Sequence, residues 1–349
     1  MRETPVLDLS FDDLRDRLVG LGHPPYRAQQ IWQAIYRDLS SAYDRMTTLP
    51  LRLRAELETL FPLHLPIPEA VQESPDGRTR KTLLRLADGE AVEAVSMRYV
   101  ERRTVCVSTQ VGCAMACRIC ATGRGGFTRN LSPGEIVGQA LHAARGFQRD
   151  NQRLTNIVYM GAGEPFANYD ATLASIRVLN DSRGFNLGAR SFTVSTVGIA
   201  PAIERFAEEG LQVNLAVSLH AANDALRDRL LPINKTYPLE ALLRACRRYI
   251  ERTNRRITFE VALIGGINDS PSHAKEIVDL LGGLLCHVNL IPFNPVPGLR
   301  WKRSSKERIH ALADVLDRSG IPVTIRIRRG TDIRAGCGQL RAARTDSGE

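Results

Sequence analysis

The first part of the chain carries the spacing of amphipathic helices. Two runs place apolar residues three or four positions apart: Phe11, Leu14, Leu18 and Leu21, then Ile31, Trp32, Ile35 and Tyr36. This is the period at which one face of a helix is buried. Two consecutive prolines, Pro24 and Pro25, separate the runs, and proline interrupts a helix. The pattern predicts a small helical domain over residues 1–62.

A β element is predicted next, over residues 63–98. Apolar and polar residues alternate at 81–86 and 91–95, and the residues between them include the pair Asp88-Gly89. Alternation is typical of a half-buried strand, and Asp-Gly is typical of a tight hairpin turn. We interpret this stretch as a β-hairpin that links the helical domain to the rest of the chain.

Residues 99–340 alternate short β-branched runs with helical patterns, which is typical of parallel βα units. The predicted strands are 104–108, 156–160, 191–195, 213–219, 257–263 and 288–292, with 323–327 as a candidate closing strand. Ser132-Pro-Gly-Glu135 is a capping box that predicts the start of one helix, and another helix is predicted over 306–316. Six units suit an α/β fold with a partial, open (βα)6 barrel. The polar stretch 341–349 is predicted to be a frayed tail.

Composition and charge narrow the class of protein. The 349 residues include 47 Lys and Arg against 38 Asp and Glu, which gives a net charge of +9 and favours a polyanionic partner. No segment approaches the roughly 18 apolar residues of a membrane span, so we expect a cytoplasmic protein without a membrane partner, and a monomer. Seven cysteines, several of them clustered, suit a reducing compartment.

Cys113, Cys117 and Cys120 carry the strongest chemical signal, because one short loop brings three thiolates together and supplies no fourth. Protein-saturated iron-sulfur cubes take four cysteines, and structural zinc sites take four Cys or His ligands. Three ligands therefore indicate a reactive cluster with one open iron. The alternatives are a zinc site that borrows His142 or His220, and a disulfide pair.

Other unusual residues follow the predicted strands, where the active sites of barrels are built. Gly161-Ala-Gly163-Glu164-Pro165 follows the second strand, Ser195 ends the third, and the fourth to sixth strands are followed by Ser218, His220 and Asn294. Taken singly, His220 could be a structural histidine and Asn294 a turn residue. Their positions at one edge of the barrel favour a shared site.

The glycine motif has two interpretations. Gly161 and Gly163 after a strand, with Asp181 about 20 residues on, are a degenerate form of the dinucleotide-binding fingerprint. Glu164, however, places a carboxylate where a phosphate needs free N–H groups at a helix N-terminus. A carboxylate beside exposed backbone suits the ammonium group of a methionine moiety instead, and a plain turn is the third possibility.

Charged residues outside these motifs are expected to be solvated individually. Glu93 lies in an alternating run where an outward carboxylate is the default. Several basic residues are expected to contact phosphate, although any single one could be merely solvated: Arg124, Arg129, Lys302, Arg303, Arg326, Arg328, Arg329 and Arg334. Cys246 and Cys286 lie in helical and strand patterns and are expected to be inert core residues.

Together these motifs resemble a known family. The segments that carry the resemblance are Cys106-Val-Ser-Thr-Gln-Val-Gly-Cys113, Cys120-Ala-Thr-Gly-Arg-Gly-Gly-Phe-Thr-Arg-Asn-Leu131, Met160-Gly-Ala-Gly-Glu-Pro165, Ser218-Leu-His220, Leu231-Pro-Ile-Asn234 and Cys337-Gly-Gln-Leu340. They are similar to the radical S-adenosylmethionine (radical SAM) adenine-C2 methyltransferases of 23S ribosomal RNA and tRNA. The similarity extends over nearly the whole chain, including the N-terminal domain, for which it implies a role in RNA binding.

The resemblance implies a role for each matching residue. Cys113, Cys117 and Cys120 would hold one 4Fe-4S cluster. The residues that would bind SAM are Gly163, Glu164, Ser195, Ser218, Leu219, His220 and Asn294. Two SAM would be used per turnover: one to methylate Cys337, and one to be cleaved at the cluster, which is fed by a donor such as reduced ferredoxin or flavodoxin. The resulting 5'-deoxyadenosyl radical would take a hydrogen from the S-methyl group.

The implied route has a chemical reason. Carbon 2 of adenine is electron-poor and cannot attack a sulfonium methyl group, whereas a carbon radical can add to it. The resemblance further implies that Glu93 accepts the carbon 2 proton and that Cys106 releases the RNA by forming a transient disulfide with Cys337. The implied substrates are 23S rRNA and adenosine 37 of some tRNAs.

Three alternatives remain at this point. A sister branch methylates carbon 8 of the same adenine, although the Arg124-Gly-Gly-Phe127 stretch looks more like the carbon 2 branch. A glycyl-radical activating enzyme would need the cluster but not both Cys106 and Cys337. The third alternative is a non-catalytic RNA-binding protein with a structural metal.

Overall fold

The computed structural model describes residues 3–296, 298–326 and 330–340. Its strands are β1 (Ile67–Glu73), β2 (Thr79–Arg85), β3 (Ala91–Arg98), β4 (Arg103–Cys106), β5 (Gln110–Gly112), β6 (Phe127–Asn130), β7 (Asn156–Tyr159), β8 (Phe192–Thr196), β9 (Asn214–Ser218), β10 (Ile257–Leu263), β11 (Cys286–Pro292) and β12 (Val323–Ile325). Its α-helices are α1 (Phe11–Gly20), α2 (Tyr26–Tyr36), α3 (Leu51–Leu60), α4 (Ala121–Arg124), α5 (Pro133–Arg149), α6 (Tyr169–Asn180), α7 (Ala200–Ala207), α8 (Asp224–Leu230), α9 (Leu239–Thr253), α10 (Pro271–Leu281) and α11 (Lys306–Arg318).

Across the described residues, one sheet has the strand order β1-β2-β3-β4-β7-β8-β9-β10-β11-β12. From β4 onward, neighbouring strands run parallel. A connecting helix follows each parallel strand from β4 to β11, in the order α5, α6, α7, α9, α10 and α11. The predicted α/β fold with six βα units is confirmed. The alternation arises because each buried strand needs an amphipathic helix to cover it.

Within the described residues, the sheet is open at both ends. In the described part of the chain, β12 pairs with β11, and it lies at the opposite end of the strand order from β1. The predicted closing strand 323–327 is therefore a seventh parallel strand at an edge, as far as it is described. Ile327 and the predicted tail 341–349 lie outside the described residues.

The predicted hairpin is part of the main sheet. β2 and β3 pair antiparallel on either side of the Asp88-Gly89 turn, and β3 then pairs antiparallel with β4, with Val95 opposite Cys106. The hairpin is therefore continuous with the barrel strands, which differs from the interpretation of residues 63–98 as a linker. Strand β1 was not predicted, because its side chains are all exposed and give no alternating pattern.

The N-terminal domain is helical, as predicted. Trp32 contacts the rings of Phe11 and Tyr36, so the apolar faces of α1 and α2 meet, and the residues involved belong to the same core as the barrel. At the start of α5, Gly134 N donates to Asp8 Oδ1 at 2.7 Å, so the domain is docked on this helix. The predicted capping box of α5 is present. Among the described residues, no helix combines the length and apolar character needed to cross a bilayer.

Candidate active site

One open cavity with about 980 Å³ of empty space lies at the carboxyl ends of the parallel strands. We call it the main cavity. The predicted site residues that line it are Cys113, Cys117, Cys120, Gly163, Glu164, Ser195, Ser218, His220, Asn294 and Cys337. Residues that are far apart in the sequence thus converge at the edge where barrel active sites form.

The cysteine loop is closed at its base by a small sheet. β5 pairs antiparallel with β6, and Cys113 N donates to Gly126 O at 2.7 Å. Inside the loop, α4 lies so close to the chain that a Cβ atom on Gly123 would stand 2.8 Å from Cys117 N. Only glycine fits at that position. The tight loop directs all three cysteines to one cavity.

Cys113, Cys117 and Cys120 all border the main cavity, as expected for three ligands of one iron-sulfur cluster. Burial raises the pKa of Cys113 to about 12 and raises that of Cys117 well above its usual value, so both are neutral thiols in the absence of a bound cation. Metal binding favours the thiolate form. The cavity that these cysteines border extends to Glu164 and Ser195, which leaves room for a further ligand beside a cluster held by three cysteines.

The zinc alternative needs a fourth ligand. His142 lies on α5 and is not among the residues that line the main cavity, as far as the chain is described. His220 lines the cavity, but its Nδ1 atom accepts a hydrogen bond from Ala262 N at 3.0 Å. His142 is therefore outside the cavity that the cysteines border, and His220 has only its Nε2 atom left for a metal.

Glu164 is almost completely buried and is held by backbone donors. Its Oε1 accepts from Phe166 N at 3.0 Å, and its Oε2 accepts from Val197 N at 2.9 Å. The preceding Gly163 has φ +104°, and a Cβ atom there would stand 2.7 Å from Gln110 N, so the turn requires glycine. The carboxylate occupies the N–H groups that a phosphate would need, which weighs against the dinucleotide interpretation.

The charge of Glu164 depends on its environment. Burial raises its pKa to about 7, although the hydrogen bonds from Val197, Thr196 and Phe166 oppose that shift. A carboxylate with a raised pKa in an apolar cavity is stabilised by a cationic partner. Glu164 is therefore suited to hold an ammonium group.

His220 is a strained, neutral residue. It has φ +60°, a conformation uncommon outside glycine, and its carbonyl accepts from Asn268 Nδ2 at 2.8 Å. Burial and then the charge of Arg227 lower its pKa to about 3, so the ring is neutral near pH 7. Because Nδ1 accepts the hydrogen bond from Ala262 N, the ring proton lies on Nε2, which is left as a donor.

Two of the predicted SAM-binding residues differ in how they could act. Asn294 Oδ1 is buried and, among the described residues, has no hydrogen-bond partner, so it can accept from a ligand in the main cavity. Leu219 is completely buried in the core. Its N–H donates to Glu260 O, and its carbonyl accepts from Ala221 N. Leu219 thus lies behind the cavity wall, and the structure gives it a packing position and no free polar group.

Cys337 lies on segment 330–340, which follows the edge of the sheet and borders the main cavity. Ala121 N, directly after the third cysteine of the loop, donates to Gly338 O at 2.7 Å. Asn294 Nδ2 donates to Cys337 O at 3.2 Å. These bonds hold the Cys337 thiol beside both the cysteine loop and the carboxyl end of β11.

A second cavity of about 580 Å³ lies on the other side of Cys337, and Cys106 lines it. The residues shared by the two cavities are Met160, Ile291, Asn294, Arg326 and Cys337. Cys337 thus stands in the wall between the cavity of the cysteine loop and the cavity of Cys106. Burial raises the pKa of Cys106 to about 12, while the charge of Arg326 opposes the shift. All seven cysteines are free thiols, and Cys246 and Cys286 are buried, as expected.

Glu93 is not the solvated carboxylate that its alternating run suggested. It is 6 % exposed, and its Oε1 forms an ion pair with Lys81 Nζ at 2.8 Å. Val95 is opposite Cys106 in the β3–β4 register. Glu93 is two residues before Val95 on the same strand, so the side chains of Glu93, Val95 and Cys106 face the same side of the sheet. Its carbonyl also accepts from Ser108 Oγ at 2.8 Å. Glu93 therefore lies on the side of the second cavity.

Sequence reasoning missed two charged residues of the site. Glu260 lines the main cavity and accepts a hydrogen bond from Asn289 Nδ2 at 2.9 Å. It is the charged residue of the mostly apolar strand β10, and this contrast could have drawn attention to it. Arg326 was grouped with solvated basic residues, yet it lines both cavities. Coulombic interaction with Cys337 is the first cause that raises its pKa.

The other basic residues differ in exposure and pairing. Arg129 forms ion pairs with Asp88 and Glu135, so it is not a free phosphate ligand. Arg303 donates to Phe293 O at 3.1 Å. Arg124, Lys302 and Arg334 are exposed. The remaining two, Arg328 and Arg329, lie outside the described residues.

Family models and a solved structure that are similar to this chain agree with a site built at the carboxyl ends of the parallel strands. The family model of the radical SAM superfamily matches residues 107–281, and that of the ribosomal RNA large subunit methyltransferase N-terminal domain matches residues 4–62. A radical SAM methyltransferase from Sphaerobacter thermophilus, known as a crystal structure, superposes with a TM-score of 0.95 at 52% identity, over 97% of this chain and 99% of that one. The chain is therefore a radical SAM protein.

Curated relatives narrow the family. A probable dual-specificity RNA methyltransferase RlmN from Chloroflexus aurantiacus is 48% identical, over 97% of this chain and 93% of that protein. A protein of the same description from Geobacillus kaustophilus is 47% identical, over 97% and 92% respectively. The chain belongs to the RlmN family and is a SAM-dependent methyltransferase. The family implies SAM and an iron-sulfur cluster.

Proposed function

We propose that this enzyme methylates carbon 2 of an adenosine in 23S rRNA, and of adenosine 37 in some tRNAs, with Cys337 as the carrier of the methyl group. The observation that carries the proposal is the position of Cys337, in the wall between the main cavity and the cavity of Cys106. A methyl carrier must face the methyl donor on one side and its release partner on the other. The described residues offer one cysteine in that place.

Loading of the carrier is the first reaction. The Cys337 thiolate attacks the methyl carbon of SAM, the bond from that carbon to the sulfonium breaks, and S-adenosylhomocysteine leaves. Glu164 holds the ammonium group of the methionine moiety, and the free Asn294 Oδ1 accepts from a donor of the same ligand. A bond from Asn294 Nδ2 fixes the Cys337 backbone beside that ligand, so one side chain orients both reactants.

Transfer to RNA follows. Cys113, Cys117 and Cys120 would hold a 4Fe-4S cluster, which would supply the electron that cleaves a second SAM. The 5'-deoxyadenosyl radical from that SAM removes one hydrogen from the S-methyl group of Cys337. The hydrogen bond from Ala121 N to Gly338 O holds the neighbouring Cys337, and with it the S-methyl group, beside the cysteine loop. The resulting carbon radical adds to carbon 2 of adenine, and RNA is then joined to Cys337. The adduct still carries the unpaired electron, which the oxidised cluster would take back, so that release starts from an adduct without a radical.

Release uses the side of Cys106. Glu93, with Lys81 beside it at 2.8 Å, takes the carbon 2 proton. The sulfur of Cys106 attacks the sulfur of Cys337 and a disulfide forms. The electron pair of the broken sulfur–carbon bond stays on the methyl carbon of the adenine, which takes up the proton that Cys106 loses. The exposed Arg124, Lys302 and Arg334 contact RNA phosphates, and the N-terminal domain contributes to RNA binding. We further propose a cytoplasmic monomer that uses reduced ferredoxin or flavodoxin.

The proposal is tested by mass spectrometry of nucleosides after anaerobic incubation of reconstituted protein with SAM, a reductant and unmodified rRNA or tRNA. We expect 2-methyladenosine from both RNAs. Formation of 8-methyladenosine would assign the enzyme to the sister branch. Release of 5'-deoxyadenosine without any methylated adenosine would overturn the RNA substrate.

SAM binding is predicted to depend on the charge of Glu164. Loss of a hydrogen bond to a charged group costs about 1.5–3 kcal/mol, so Glu164→Gln is expected to raise the Kd for SAM about 10- to 100-fold at pH 7.5. The amide also loses one backbone bond, because its NH₂ group faces an N–H donor. Isothermal titration calorimetry of the reconstituted wild type and of the reconstituted variant measures the two Kd values for SAM.

The pH dependence separates charge from shape. Because the pKa of Glu164 is raised to about 7, the wild-type affinity is expected to weaken as the pH falls from 7.5 to 6, where the carboxylate becomes protonated. Glu164→Gln should show a flat profile over that range. A wild-type profile as flat as that of the variant would show that Glu164 does not bind the ammonium group as a carboxylate.

A further inference from the structure

Arg227 is a completely buried cation on helix α8, with 0% of its surface exposed. Its guanidinium donates to Leu219 O at 3.2 Å, to Asn234 Oδ1 at 2.7 Å, and to Val197 O and Ser218 O at 2.7 and 3.2 Å. Each of these acceptors is a neutral carbonyl or amide oxygen. The N–H groups of the guanidinium therefore have hydrogen-bond partners, but none of these partners carries a negative charge that would balance the positive charge of Arg227.

No carboxylate in the described part of the chain lies within ion-pair distance of Arg227. Arg227 is connected to Asp224 and Asp228 indirectly: it donates to Asn234 Oδ1, and Asn234 Nδ2 donates to the two carboxylates at 2.8 and 2.7 Å. A buried cation without a direct counter-ion is costly. Burial lowers the pKa of Arg227 to about 10, which still leaves the guanidinium charged near pH 7.

Helix α8 packs against the cysteine loop, because Cys117 belongs to the same buried cluster as Leu226 and Leu230 of that helix. In its thiolate form, Cys117 is the first of the groups that stabilise the charged form of Arg227. Arg118 N donates to Leu230 O at 3.0 Å, so the cysteine loop rests on the end of α8. When Cys113, Cys117 and Cys120 bind a cluster as thiolates, the buried guanidinium has an anionic neighbour.

Arg227 also lies directly behind the wall of the main cavity. Two of its acceptors, the carbonyls of Val197 and Ser218, belong to residues that line the cavity, and Val197 N donates to Glu164 Oε2 at 2.9 Å. Arg227 itself does not line the cavity, as far as the chain is described. It therefore acts on the site through the protein and through its charge.

We propose that Arg227 is a positioning residue whose buried charge balances the three-thiolate cluster and favours its reduced form. This inference rests on the proposed function, in which Cys113, Cys117 and Cys120 hold a 4Fe-4S cluster. Adding an electron makes the cluster more negative, so a nearby fixed cation stabilises the reduced form more than the oxidised one. A reduced cluster is the form that can cleave SAM, so the charge would ease delivery of the electron.

The test is the midpoint potential of the cluster in the full-length reconstituted protein, without SAM or RNA, by redox titration with electron paramagnetic resonance. Arg227→Met is expected to lower the equilibrium constant for reduction at least about tenfold, which is about 59 mV for one electron. Arg227→Lys keeps the charge and should retain most of the wild-type potential. Arg229→Met, on the exposed side of the same helix, is the matched control and should leave the potential unchanged.

A second variant covers loss of folding in Arg227→Met. Asp228→Asn removes a carboxylate from the Asn234 network without removing the guanidinium, so it should move the potential upward. An unchanged potential in a fully loaded Arg227→Met, an equal fall in Arg227→Lys, or no upward shift in Asp228→Asn would overturn the proposal.

These outcomes are distinguishable from failure of the proposed function. A different methylated nucleoside would change the assigned reaction and leave the potentials as they are. Iron analysis of the wild type decides the remaining case, because a chain that binds no cluster would overturn both proposals.

Discussion

Replacing Cys337 with alanine is expected to abolish adenosine methylation, with a loss of about 10⁴-fold or more, the range found when a covalent nucleophile is removed. The reason is the place of Cys337 in the wall between the two cavities, where the proposed route has no second methyl carrier. The cysteine loop and Glu164 are not altered, so the variant should still bind iron and cleave SAM. The measurement is 2-methyladenosine in RNA, with 5'-deoxyadenosine followed in the same samples.

The matched control is Cys246→Ala. Cys246 is a buried core cysteine on α9, so its truncation tests for a general effect of removing a thiol. It is expected to keep methylation near the wild-type level. Methylation that persists in Cys337→Ala would show that the methyl group reaches RNA without this carrier, as in an enzyme that needs only the cluster.

The second large effect is expected from Cys106→Ala, which should stop the reaction after one addition. Without the Cys106 thiol, the sulfur of Cys337 has no partner for a disulfide, and RNA stays covalently joined to the protein. We expect a covalent protein–RNA adduct that survives denaturation, with one RNA joined to each protein molecule after one turnover. Denaturing gel electrophoresis with labelled RNA measures it.

The double variant Cys106→Ala/Cys337→Ala provides the control, because the adduct should disappear when its attachment point is removed. An adduct that persists in the double variant would place the attachment at another residue. Absence of any adduct in Cys106→Ala, with continued methylation, would remove Cys106 from the release step.

The residues that could be predicted from the sequence are those that local rules place. Strand ends follow from β-branched runs, and parallel strands present their carboxyl ends at one edge, so Ser195, Ser218 and Asn294 were expected to meet and do line one cavity. The spacing of Cys113, Cys117 and Cys120 within one loop likewise needs no knowledge of distant contacts.

The residues that could not be predicted depend on tertiary contacts. Arg227 lies in a charged helical stretch that looks like a solvated surface. In the fold its guanidinium is enclosed by the carbonyls of Val197, just after β8, and Ser218, at the end of β9. Glu93 was expected outside, because an alternating run does not tell which face of the hairpin is covered. Arg326 owes its position to the edge strand β12, which it directly follows. Leu219 lies between two cavity-lining neighbours, and the sequence does not reveal that its side chain points into the core; its role in SAM binding stays a prediction.

The role of Cys337 is tested most directly by following the methyl carbon through this residue. Protein is first loaded with SAM that carries a trideuterated methyl group, freed of excess SAM, and then given unlabelled SAM, a reductant and RNA for one turnover. If Cys337 carries the methyl group, the first 2-methyladenosine contains deuterium from the protein, and one deuterated methyl group leaves the Cys337 peptide for each 2-methyladenosine formed. Unlabelled 2-methyladenosine, with the deuterated methyl group retained on Cys337, would contradict that role.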